Sequence, residues 1–160
     1  LDRSSAASDV YKRQGGMSEL AQFFQSRIPG SDVTPDQLRS RSWWKGAEGF
    51  VLIDDYDLVS TSQGNPVAVL APLLAQAADL GLHVILTRRT GGASRAAYDP
   101  IIQRMTDLGA TGILLSGNPE EGQLIGKVKA IPAIPGRAQI VSRDRGLVAA
   151  QLLWVPPSYQ

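Results

Sequence analysis

A chain of 160 residues with a net charge of +1 has the length of one domain able to bury a core, and its charge favours no polyanionic partner. The absence of cysteine excludes a disulfide framework, a thiolate nucleophile and a cysteine metal site. No apolar run approaches the ~18 residues needed to span a bilayer, and no stretch has the pattern of a secretory signal.

Residues 1–16 (LDRSSAASDVYKRQGG) have neither helical nor strand period and resemble a translated adapter or assembly artefact. They are read as a non-native or disordered leader, with residues 17–160 as a partial domain whose natural upstream sequence is missing. From Ser18 a helix is predicted with Leu20, Ala21, Phe23 and Phe24 on its apolar face, stopped by Pro29-Gly30. Thr34, Pro35 and Asp36 read as cap, first-turn proline and first-turn acid of a short helix through Arg41. Trp43 and Trp44 either pack a loop onto the domain or form a stacking platform for single-stranded nucleic acid. No interleaved basic and aromatic pattern favours the second reading.

The chain is organised around Phe50 to Asp57 (FVLIDDYD). Phe50, Val51, Leu52 and Ile53 form a run too short for a helix and of the kind found in a parallel strand buried on both faces, so Leu52→Asp should destabilise by several kcal/mol. Asp54 and Asp55 then stand at the carboxyl end of that strand, the edge where open α/β sheets bind ligands. A Walker B element has this form: one acid holds Mg²⁺ through its water shell and the next orients the attacking water. Mg²⁺ suits such a pair because it takes one or two carboxylates and leaves the rest to water and phosphate. Acids that only cap the following turn give the same pattern. A response-regulator receiver also begins with paired acids, but it would start near this strand and need a further Asp and a Lys at later strand ends.

Ser60 to Asn65 reads as a polar turn, and Pro66 opens a helix through Asp79 with Val69, Leu70, Leu73, Leu74, Ala77 and Ala78 facing the sheet. Leu82 to Thr87 (LHVILT) is a second buried strand, parallel to the first through a right-handed crossover. His83, the single histidine, reads as a structural residue, since no second His or Cys stands near it. Thr87 and Arg88 lie on the same edge as Asp54, where a polar residue can sense a γ-phosphate and an Arg can contact phosphate or a neighbouring subunit; Arg88 and Arg89 can equally begin a solvated loop. Gly91-Gly92-Ala93-Ser94 lacks the G-x-x-x-x-G-K-[ST] pattern, so Ser94 is read as the cap of a helix towards Leu108, offset at Pro100. Thr111 to Ser116 is a third strand, Asn118 caps a short acid-led helix, and 138–142 with 147–155 make a hairpin before Pro156-Pro157.

Taken together, RIPGSDVTPDQLRSRSWWKG at 27–46, FVLIDDYDLV at 50–59, the block 81–126 and PGRAQIV at 135–141 resemble the C-terminal part of an FtsK/SpoIIIE-type ATPase module. More narrowly, they resemble the last ATPase module of the EccC family of type VII (ESX) secretion motors. The resemblance implies a RecA-like P-loop NTPase core: an α/β fold with a mostly parallel sheet, flanking helices and a C-terminal β-hairpin, incomplete at the N-terminus. It implies ATP and Mg²⁺ as ligands of the intact module, with Asp54 on the water-mediated Mg²⁺ side, Asp55 as the catalytic carboxylate, and Thr87 and Arg88 at sensor-like positions. It further implies a ring of such modules, a membrane complex that holds the motor at the cytoplasmic face, and export of WxG100-type protein pairs.

Three departures qualify the resemblance. Asp55 stands where the family usually carries Glu, and a displacement on the order of 1 Å can cost ~100-fold in rate. Arg88 follows Thr87 where strongly active relatives carry Gln. No Walker A loop is present, so the triphosphate lacks its backbone amides and Lys, and the sheet is expected to expose an edge or an apolar face. Slow or regulatory ATPase action is therefore one expectation, and a degenerate ATPase fold that docks substrate is the other. A DNA translocase is disfavoured by the near-neutral charge and the lack of a basic stripe.

Overall fold

The computed structural model describes residues 15–153 and 155. The proposed leader, apart from residues 15 and 16, and the proline pair 156–157 lie outside the described residues. The chain divides into two compact units, residues 1–88 and 89–160.

In the first unit, helix α1 (15–25) buries Ala21, Phe24 and Arg27, which recur every third position along one line of the helix and the turn that follows it. Arg27 was not anticipated as a core residue. Its guanidinium lies over the rings of Phe23, Phe24 and Trp44, at 4.6, 5.1 and 4.0 Å from their centroids. Its two terminal nitrogens donate to the Leu80 and Ala47 carbonyls at 2.8 and 2.9 Å. The cation is thus desolvated against carbonyl dipoles and π faces. Trp43 Nε1 donates to the Arg27 carbonyl and Trp44 Nε1 to that of Asp79, so the tryptophan pair packs its loop onto the unit. Gly81 admits Trp44: its φ is +66°, and a Cβ there would meet the indole at 2.6 Å. Helix α2 (Pro35–Ser40) opens with the expected cap, Thr34 and Gln37 forming a reciprocal capping box.

Strand β1 (Gly49–Ile53) pairs in parallel with β2 (Leu82–Leu86), with Gly49 opposite Leu82 and Ile53 opposite Leu86. The expected burial of both faces is found on one only. Val51 and Leu82 are buried on one face, whereas Phe50, Leu52 and Ile85 on the other are 63, 72 and 52% exposed. His83 shares the open face, stacked on Phe50 at 4.5 Å and bonded to Glu48 at 3.0 Å, in keeping with a structural role. With Leu52 largely exposed, most of its surface is already in water, and the predicted cost of Leu52→Asp does not apply to this chain.

The crossover also differs from expectation. Pro66–Gln76 is a 3-10 helix that carries Pro72 inside it, and only Ala77–Leu80 is α-helical (α4). Three residues per turn align Val67, Leu70 and Leu73, all buried with Leu74. Val69 and Ala77 are half-buried and Ala78 is exposed. Pro72 has no N–H for an i−4 bond, which favours departure from the α form.

In the second unit, Ala93–Tyr98 is a 3-10 helix preceded by Gly92 in the left-handed region, so Ser94 lies within it and does not start an α-helix. Asp99 caps α5 (Pro100–Asp107), its carboxylate accepting from the Ile101 and Ile102 amides. Strand β3 (Gly112–Leu114) is antiparallel to β6 (Arg137–Ser142), which forms a hairpin with β7 (Gly146–Gln151). A second hairpin, β4 (Gln123–Ile125) with β5 (Val128–Lys129), was not anticipated. The C-terminal hairpin is therefore as expected, but a mostly parallel sheet is not: among the described residues β1–β2 is the one parallel pair. The 3-10 turn Pro119–Glu121 is capped by Asn118, as read from the sequence.

Candidate functional site

The candidate site lies at the carboxyl end of the parallel pair. Side chains alternate along each strand, so Asp54 and Thr87 continue the open-face rows Phe50, Leu52 and His83, Ile85. Thr87 joins the two chain ends. Its amide donates to the Ile53 carbonyl at 2.9 Å and its carbonyl accepts from the Tyr56 amide at 2.8 Å. Its hydroxyl donates to Asp54 Oδ1 and accepts from the Asp55 amide at 3.1 Å. The same Asp55 amide also reaches Asp54 Oδ1 at 3.1 Å.

Asp55 has φ +49° and ψ +53°, a left-handed backbone that a non-glycine residue adopts only when its surroundings hold it there. It precedes the single-turn helix α3 (Tyr56–Val59) without a side-chain cap bond, so the reading of the acids as simple caps fails for this carboxylate. Beneath it Tyr56 is buried, and its hydroxyl accepts from Asn65 Nδ2 at 2.7 Å. Asn65 in turn accepts from the Val67 amide, which links the acid turn to the start of the 3-10 crossover.

Asp54, Asp55 and Thr87 are exposed and Arg88 is half-buried at the end of the first unit. The structure thus brings Asp54, Asp55 and Thr87 into one hydrogen-bonded turn. Arg88 follows directly in sequence, and no phosphate-sensing geometry is assigned to it. No cluster of three or more His, Cys, Asp or Glu able to cage a metal exists among the described residues. One or two carboxylates with the remaining positions left to water and phosphate are nevertheless the donor set Mg²⁺ accepts, so the acid pair fits that ion as part of a phosphate site. An apolar groove of about 290 Å³ is lined by Gly16, Met17, Ile53, Val59, Pro66 and Val67, with neither acid and no charged side chain among them to hold a triphosphate. In the second unit the Gly92 amide is bonded to Glu121 Oε2 at 2.9 Å, so a carboxylate of the chain itself occupies the glycine loop.

No family model matches the chain. It is 45% identical over 141 residues to the ESX-4 secretion system protein EccC4 of Mycobacterium tuberculosis, covering 88% of this chain and 11% of that protein. The chain spans about a tenth of the length of the first curated relatives it matches. Among solved structures, the cytoplasmic domain of the Thermomonospora curvata type VII secretion ATPase EccC matches with TM-score 0.85 and 44% identity, over 91% of this chain and 17% of that one. T. curvata EccC, ATPases 2 and 3 in complex with a signal sequence peptide, matches with TM-score 0.85 and 43% identity, over 92% of this chain and 26% of that one. No helix among the described residues is long and apolar enough to cross a membrane. By sequence and by fold, then, about nine-tenths of this chain is homologous to a segment of the EccC ATPases of ESX secretion systems.

Proposed function

We propose that the chain is part of the last, C-terminal FtsK/SpoIIIE-type ATPase module of a type VII secretion motor, and that it contributes the Walker B edge of a MgATP site. The observation that carries this reading is the placement of Asp54 and Asp55 at the carboxyl end of a parallel strand, within a sequence close to EccC. Sequence upstream supplies the Walker A loop and covers the open face of β1–β2, completing a RecA-like core. Asp54 lies on the Mg²⁺ side through water, Asp55 orients the attacking water, and Mg²⁺ supplies neutralisation of phosphate charge. Asp55 is one methylene shorter than Glu, so turnover is slow. The module works in a ring with its sister modules, at the cytoplasmic face of a membrane complex, on WxG100-type cargo; nucleic acid is not its partner.

A second reading is favoured by one observation: an EccC relative of the same fold binds a signal sequence peptide. In that reading the module is a degenerate ATPase fold that docks cargo tails, with nucleotide in a structural role. The two separate in the parent polypeptide carrying Asp54→Ala or Asp55→Ala. If the motor reading holds, Asp54→Ala weakens Mg²⁺-dependent ATP binding and Asp55→Ala leaves binding intact while hydrolysis falls at least ~10-fold. If neither substitution alters binding or hydrolysis while a labelled cargo tail still binds, the docking reading replaces it.

A further inference from the structure

We propose that Thr87 is a positioning residue which sets the acid pair before any ligand arrives, and is not itself a phosphate sensor. This inference rests on Asp54 standing on the Mg²⁺ side of the proposed site. A hydroxyl has one proton to give, and that of Thr87 goes to Asp54 Oδ1. The oxygen then accepts the Asp55 amide, while the Thr87 backbone bonds to Ile53 and Tyr56 on either side of the acids. Four hydrogen bonds thus converge on a turn whose left-handed residue, Asp55, would otherwise relax. Pinning Oδ1 leaves Asp54 to present Oδ2, which makes no hydrogen bond among the described residues. A carboxylate fixed by one oxygen and open at the other meets an incoming hydrated cation without first losing rotational freedom.

The two side-chain bonds distinguish this role from that of an ordinary strand end. Thr87→Ser keeps both, whereas Thr87→Val keeps size and strand preference and removes both. The test uses this chain, with amide exchange followed by NMR and Mn²⁺ alone as the probe. In Thr87→Val the Asp55 amide exchanges about tenfold faster while the amides of β1 away from the turn keep their rates; in Thr87→Ser Asp55 remains as in the parent. Paramagnetic broadening by Mn²⁺, centred on residues 54–56, is weakened by Thr87→Val and retained by Thr87→Ser. Equal Asp55 exchange in all three proteins, faster exchange spread over the whole of β1, or broadening that Thr87→Val leaves unchanged would each overturn the proposal. No broadening in any of the three would count against the metal role of Asp54, and the exchange rates alone would then decide the role of Thr87.

Discussion

The two faces of the β1–β2 pair are built from the same kinds of residue and have opposite fates. Val51 and Leu82 sit on a face where Val67, Leu70, Leu73 and Leu80 supply the neighbouring buried core, while Phe50, Leu52 and Ile85 look outward. Apolar composition therefore marks what a strand is suited to meet, and burial depends on whether the other layer is present. The open face also leads, row by row, to Asp54 and Thr87.

The contrast can be broken from the closed side first. Leu70→Ala, at a fully buried position, should cost about 3 kcal/mol, seen as a fall in the denaturant midpoint with little change in slope. Arg27→Ala should cost about 2 kcal/mol, because it strands the Leu80 and Ala47 carbonyls and empties the space beneath Trp44. On the open side Leu52→Asp should change stability by no more than ~0.5 kcal/mol in this chain, and by several kcal/mol in the parent polypeptide once the face is covered. Equal effects in the two proteins would mean that the face stays open.

The smallest effect belongs to the second unit and serves as a control. The Ser142 hydroxyl, followed by turn amides, holds the Asp144 carboxyl below its usual value. A depressed carboxyl stabilises the fold above its unfolded pKa and loses that contribution as pH falls through the folded value, so the window lies below about pH 4. Ser142→Ala should flatten the melting profile slightly in that window and leave it unchanged at neutral pH.

Much of this arrangement was legible in the residues. The acid-terminated strand, its parallel partner, the Thr34 and Asn118 caps and the C-terminal hairpin each carry a local signal that needs no distant partner. What failed depended on context. The period assumed for 66–79 was helical, and Pro72 with the 3-10 form moved burial from Val69 and Ala78 to Val67. The short strand Gly112–Leu114 gave no sign that its partner lay at Gln139–Val141 in antiparallel register. Arg27 was hidden because a cation is not sought in a core, although its spacing from Ala21 and Phe24 places it there. At the site, Thr87 was read onto the same edge as Asp54, but its hydrogen bond to that acid was not foreseen. That two strands in register end together at Asp54 and Thr87 is the clue that would have joined them.

The most direct test is a calorimetric titration of MgATP into this chain and into the parent polypeptide with its upstream sequence. An acid edge without a phosphate grip predicts no measurable binding by the chain at micromolar protein, and binding by the parent. Comparable affinity in both, or none in a folded parent, would contradict the assignment of Asp54 and Asp55 to a nucleotide site.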